Sequence, residues 1–173
     1  MITIIEERPS DRQAVETLAR LSLGNRVGDS PAARMRKGTQ PVPGICMVAI
    51  ENEQLVGTLR FWPITIGHTV KALQLGPLAI HPDHRGRGFS RLLMRQGLDR
   101  AQALGHRIVV LIGDAAIYSR YGFQAALPHG ITLPGEEDRN RLQVLALAPG
   151  ALDGLHGVCL PDTVASSNKR LIA

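Results

Sequence analysis

Residues 75–123 read LGPLAIHPDHRGRGFSRLLMRQGLDRAQALGHRIVVLIGDAAIYSRYGF, and this stretch constrains the chain more than any other. An apolar run over residues 73–80 ends in a polar turn that opens with Arg85-Gly86-Arg87-Gly88. A helical pattern follows to Leu104, Gly105 stops it, and a second apolar run begins at Ile108. The order is strand, basic glycine turn, helix, strand, which suits an anionic ligand. Glycine lets the backbone come close to a phosphate, a helix start offers unpaired N–H groups, and arginines add charge. The turn is not a dinucleotide fingerprint, because Arg91 stands at the third glycine position, nor a P-loop, since no Gly-Lys-Ser/Thr follows. Physics alone leads to a phosphate-bearing ligand and no further.

Three segments carry a resemblance. Arg85-x-x-Gly88-x-Ser90 resembles the Q/R-x-x-G-x-G/A signature of the GCN5-related N-acetyltransferases, the GNAT family, with Ser90 in place of glycine or alanine. The preceding Leu78-Ala79-Ile80-His81-Pro82-Asp83-His84 is similar to the end of that family's fourth strand. Tyr118-Ser119-Arg120-Tyr121-Gly122-Phe123 is similar to its Y-x-x-x-G-F segment. The three occur in family order at family spacing over about fifty residues. The resemblance implies an α/β (α+β) fold, with a mixed, mostly antiparallel central sheet splayed between two strands and flanked by helices. It also implies acetyl-CoA as co-substrate and an amine as acceptor.

Length and composition agree. The 173 residues suit a single domain over 1–173, an acyl-CoA N-acyltransferase domain with room for a real core. Aromatics make up only 3%, so the core must be aliphatic and a stacking platform for single-stranded nucleic acid is lacking. A net charge of +5 suits a phosphorylated partner, including coenzyme A with its pyrophosphate and ribose phosphate. No apolar stretch approaches the ~20 residues that span a bilayer, and the acidic N-terminus is unlike a signal peptide. The expectation is a cytoplasmic protein with no membrane partner, no nucleic-acid partner and no metal; a homodimer stays open. Cys46 and Cys159 lie far apart without metal spacing, as reduced thiols would.

The remaining elements follow from local pattern. Residues 2–6 read as a strand, and Ser10 with Gln13 as a capping box for a helix carrying Ala14, Val15, Leu18 and Leu21 up to Gly24. Residues 26–44 form a basic loop broken by prolines, with a short helix over 32–37. Residues 45–50 and 55–66 read as a hairpin around Glu51-Asn52-Glu53-Gln54, and 71–80 as the next strand. Pro77 has no N–H to give a ladder, so Gly76-Pro77 marks a bulge or an unpaired edge. Residues 108–112 lack alternation and suit a strand buried on both faces. A short helix over 115–121, a strand starting at Phe123 and a last strand over 142–147 complete the expected elements. The tail past Pro161 is expected to be loosely held.

Under the resemblance, the cofactor lies between the strands that end at Ile80 and Gly113. Pantetheine pairs with backbone groups of Leu78 and Ile80, on either side of Ala79. N–H groups of Arg85, Gly86, Arg87, Gly88, Phe89 and Ser90 hold the pyrophosphate, with Asp114 and Tyr121 beside the cofactor. Tyr118 is the general acid for the leaving thiolate, because a phenol with a pKa of ~10 stays protonated at neutral pH. Tyr121, its near rival, occupies a place that usually holds a packing aromatic. Asp114 is most simply a helix N-cap. His81 and His84 have H-x-x-H spacing but no further ligand nearby. The helix arginines read as a solvated face. No glutamate lies on the 71–80 strand, where some family members keep a base. The expected chemistry is direct attack by the amine, since neither cysteine lies in a matching motif. A non-catalytic acyl-CoA-binding module is the alternative. The acceptor depends on loops 26–44 and 129–140, which carry no signature, so small amines, amino acids, antibiotics and protein lysines all stay open.

Overall fold

A computed structural model of the chain describes residues 1–136 and 139–165, except for the side chain of Arg26. Along the chain come β1 (Ile2–Glu6), α1 (Arg12–Leu23), α2 (Pro31–Arg34), β2 (Met47–Glu51), β3 (Gln54–Ile66), β4 (Val70–Ile80) and α3 (Phe89–Ala103). They are followed by β5 (Ile108–Ile112), α4 (Ala115–Tyr118), β6 (Gln124–Ala125), β7 (Ile131–Thr132), β8 (Leu142–Ala146) and β9 (Gly157–Pro161). Strand order among the described residues is β1-β2-β3-β4-β5-β8-β6, with β9 pairing both β3 and β7. The pairings are antiparallel except β4–β5 and β7–β9. This is the mixed sheet the sequence led us to expect.

β3 is the spine. One of its edges pairs with β4 along most of its length, while the other takes β2 near its start and β9 near its end. Its side chains alternate between two cores, as the strand period requires. Leu59 and Phe61 join Leu93, Met94, Leu98, Val109 and Leu111 under α3. Ile64 and Ile66 join Met35, Ile108, Val110 and Val144 on the opposite face. Arg60 points to that opposite face, where α1 lies. It is buried in a two-bond pair with Glu7 at 2.9 and 2.5 Å, and it also approaches Glu16 of α1 at 3.9 Å.

Several local expectations are corrected. Ser10 and Gln13 do not form the capping box; Pro9–Asp11 is a 3-10 turn, and Asp11 takes over as acceptor for the Arg8 N–H at 2.9 Å. Both oxygens of the same carboxylate also accept from the Arg8 guanidinium, and such charge-assisted bonds are strong. The helix expected at 32–37 begins earlier, at Pro31, because Ser30 caps it through the Ala33 N–H at 3.0 Å and proline fits the first helical position. The strand expected from residue 45 begins at Met47. β9 was not foreseen, being five residues long and ending in proline, and it gains its strand geometry from β3 and β7. The expected loose tail falls partly on residues 166–173, outside the described residues, but its first residue, Asp162, is buried and bonded to Lys71. Among the described residues, no helix is long and apolar enough to cross a membrane.

Candidate active site

β4 and β5 pair only through Leu73 with Val109 and Gln74 with Val110. Beyond that point β5 stays with β8, while β4 continues to Ile80 paired with β3 alone. The register of β3 shifts between Leu59 and Phe61, opposite the Gly76-Pro77 segment. The irregularity expected around Pro77 therefore lies where the two strands part. The parting also fixes which backbone groups are offered. His81 N–H donates to the Val56 carbonyl at 2.8 Å, so by the alternation of an antiparallel ladder Ala79 also faces β3. Leu78 and Ile80 therefore turn their N–H and C=O groups toward the gap. The Ile80 carbonyl accepts from the Ser22 hydroxyl at 3.0 Å, which fastens the end of α1 to the end of β4.

The glycine turn closes one end of this gap. Gly88 is the N-cap of α3 in the left-handed region, with φ of 82°, a conformation that a Cβ makes costly. A Cβ built there would meet nothing within 4 Å, so the space over the turn is open. The first N–H groups of α3 have no acceptor inside the helix, and the positive end of the helix dipole points the same way. Phe89 contributes only backbone here, because its ring is buried in the core under α3.

The two turn arginines are not free charges. Arg87 donates twice to Glu51, Nη1 to Oε2 and Nη2 to Oε1, both at 2.7 Å. His84 Nδ1 lies 3.0 Å from the same carboxylate, and the Arg87 guanidinium stacks over Phe89 at 4.8 Å. Arg87 and His84 together hold the Glu51 carboxyl below the usual range, and Glu51 raises Arg87 in return. Arg85 donates to the Ser22 carbonyl at 3.1 Å. Both arginines thus brace the turn against neighbouring elements, and the histidines of the H-x-x-H pair take part. His81 Nδ1 accepts from the Asp83 N–H at 3.3 Å.

Across the gap, Asp114 caps α4 by accepting from the Ala116 N–H at 2.8 Å, as its position suggested. This places Tyr118 one turn later, where its half-buried ring packs against Gly113, Phe123 and Tyr121. A Cβ at Gly113 would run into the Tyr118 ring, so the glycine lets α4 fold back onto the end of β5. Burial pushes the Tyr118 phenol up, with a further rise from Tyr121 and a small opposing effect from Arg141. The group therefore holds its proton throughout the neutral range.

Two helix arginines read from sequence as a solvated face, Arg91 and Arg95, are gathered with Arg120 beside the turn. Arg91 and Arg95 of α3 line a groove of about 530 Å³ with Ala116, Ser119, Arg120 and Tyr121. The spacing of Arg91 and Arg95, one helical turn apart, was the available signal; Arg120 could be added only by the fold. The two cysteines lie apart from this region. Cys46 is buried, accepts from the Phe61 N–H at 3.3 Å, and has its thiol pushed up to about 12. Cys159 is likewise buried and raised to about 12. Neither forms a thiolate at neutral pH.

Known proteins match this arrangement. The family described as "Acetyltransferase (GNAT) domain" matches residues 4–126. The chain is 35% identical over 114 residues to the uncharacterized N-acetyltransferase YhbS of Escherichia coli K12, covering 65% of this chain and 68% of the relative. The crystal structure of E. coli YhbS in complex with CoA superposes with a TM-score of 0.78 at 30% identity, covering 92% of this chain and 89% of the other. A GNAT family acetyltransferase from Brucella melitensis in complex with acetyl-CoA superposes with a TM-score of 0.71 at 26% identity, covering 92% and 95% of the two chains. The chain therefore belongs to the GNAT family of acetyltransferases.

Proposed function

We propose that the protein transfers the acetyl group of acetyl-CoA to an amine by direct attack, with cofactor and acceptor bound together. The observation that carries this reading is the gap between β4 and β5, which ends at a glycine turn with open space above Gly88. The backbone of Leu78 and the N–H of Ile80 are available to pair with the pantetheine amides, and the N–H groups around Gly88 with the pyrophosphate. The groove of Arg91, Arg95 and Arg120 suits the remaining phosphate of the nucleotide. The bound thioester supplies an activated acetyl carbonyl. Tyr118 supplies the proton that the departing sulfur needs. Two buried, protonated cysteines favour direct attack over an acyl-enzyme route.

The test is calorimetric titration with CoA and acetyl-CoA, followed by thiol release against a panel of amines. Binding to the native state alone raises stability by about 2.7 kcal/mol at a hundredfold excess over Kd, so a melting shift accompanies it. No shift with millimolar CoA refutes the reading. Binding without thiol release against any amine favours the non-catalytic module instead.

A further inference from the structure

The face of the sheet that α3 covers runs on past the end of that helix. Gly105, with φ of 86°, turns the chain back toward β5, and the His106 N–H returns to the Ala101 carbonyl at 3.0 Å. Beside this turn lies a cavity of about 300 Å³, within the range of small-molecule sites. Val42, Pro63, Leu73 and Ile108 give it mostly apolar walls. It sits at the opposite end of α3 from Gly88, and the 15 residues of the helix span about 22 Å.

The charged groups at this cavity are few and ordered. Leu73 and Val109 pair across the β4–β5 ladder, and both enter the core under α3. Two residues earlier on each path, Lys71 and Arg107 therefore share that face and stand side by side. Both line the cavity. Lys71 donates to Asp162 Oδ2 at 2.5 Å, and the other oxygen of this buried carboxylate accepts the Ala165 N–H at 3.2 Å. Asp162 is thus engaged at both oxygens and neutralises one of the two cations. Among the described residues, the Arg107 side chain has no hydrogen-bond or carboxylate partner. His106 adds no charge at neutral pH, since burial pushes its pKa down. Two cations against one carboxylate leave a single positive charge beside apolar walls.

We propose that this cavity is a second small-molecule site, separate from the cofactor gap, and that its ligand is a monocarboxylate with an apolar chain. The carboxylate accepts from the Arg107 guanidinium, whose fork of N–H groups matches its two oxygens, and from a remaining ammonium hydrogen of Lys71. The chain lies along Pro63, Leu73 and Val42, where it sheds its hydration. A dicarboxylate is disfavoured, because its second charge enters apolar surroundings near Asp162 with no cation to meet it. A neutral alcohol of the same length keeps the apolar contacts and leaves Arg107 unpaired.

The probes are hexanoate, n-hexanol and adipate, titrated into the full chain without acetyl-CoA, with backbone amide NMR shifts as the readout. Hexanoate is expected to move the amides of Leu73, Gly105 and Arg107 saturably and to leave those of Gly86 and Gly88 in place. It should bind about fivefold more tightly than n-hexanol, the upper scale of one partly exposed ion pair, and more tightly than adipate. Arg107→Gln should bring hexanoate down to the affinity of n-hexanol, with n-hexanol and CoA binding unchanged. Val42→Phe fills the cavity, keeps the backbone N–H that donates to the Phe61 carbonyl at 2.8 Å, and should abolish binding of both. Equal affinity for hexanoate and n-hexanol, shifts centred on Gly86 and Gly88, or no saturable shift at millimolar hexanoate overturns the proposal. Parent-like hexanoate binding in Arg107→Gln overturns it as well. None of these outcomes touches the transferase reading, because no cofactor is present in the titration.

Discussion

Arg87 in the glycine turn and Glu51 at the end of β2 form a parallel pair of hydrogen bonds, both 2.7 Å long. The pair ties the glycine turn to the β2–β3 hairpin, so the shape of the turn depends on a residue outside it. Glu51→Ala is expected to weaken CoA binding by roughly ten- to a hundredfold, the scale on which a misplaced binding group acts. Binding of pantetheine, which lacks the pyrophosphate, should change little. Calorimetry with both ligands checks this; tighter CoA binding in the variant would mean that a freed Arg87 serves the phosphate better than a clamped one.

The same pair sets an acid limit. Glu51 is depressed by Arg87 first and His84 second, so its stabilising effect is fully present above its unfolded pKa of ~4.3 and is lost as pH falls through the lower folded value. Between pH 5 and 8, Glu51→Gln should lower Tm by a constant amount. Below about pH 4 the difference from the parent should shrink, because the parent's carboxyl is then protonated as well. A difference that instead grows in acid contradicts the depressed carboxyl.

Gly88→Val places a branched side chain at a φ of 82° and fills the open space over the turn. Stability should fall by about 1–3 kcal/mol from backbone strain. Affinity for CoA should fall much further than affinity for pantetheine. Equal losses for the two ligands would move the pyrophosphate away from Gly88.

Tyr118→Phe keeps the packing against Gly113 and Phe123 and removes the proton. Binding of acetyl-CoA should be retained, while kcat falls by ~100- to 10,000-fold if chemistry limits turnover. Because burial raises this phenol above its ordinary value, the parent's activity should show no loss from Tyr118 ionisation until pH exceeds ~10. Tyr121→Phe should leave kcat within a few-fold.

Arg91, Arg95 and Arg120 give a charge test. If this groove takes the ribose phosphate, Arg95→Gln together with Arg120→Gln should weaken CoA more than 3′-dephospho-CoA and flatten the salt dependence of CoA binding, since two cations of the groove are lost. Equal losses for the two nucleotides would place the extra phosphate elsewhere.

The segments whose geometry is local were legible in the amino-acid sequence. A glycine in the left-handed region at Gly88, the Asp114 cap that starts α4, the helix between Gly88 and Gly105 and the irregularity at Pro77 each follow from steric rules acting over a few residues. So does the order strand, turn, helix, strand that carries the family motifs. What meets across the chain was set by packing. Glu51 reaches Arg87 from 36 residues away, Ser22 reaches Ile80 from 58, and Arg120 joins a groove with Arg91 and Arg95. Gln74 has an orphan carbonyl because sheet register buries it while α2 takes only its Nε2. β9 is a strand because β3 offers it an edge. Such contacts depend on register and burial, which arise only when distant segments pack, so no local pattern of residues could carry them.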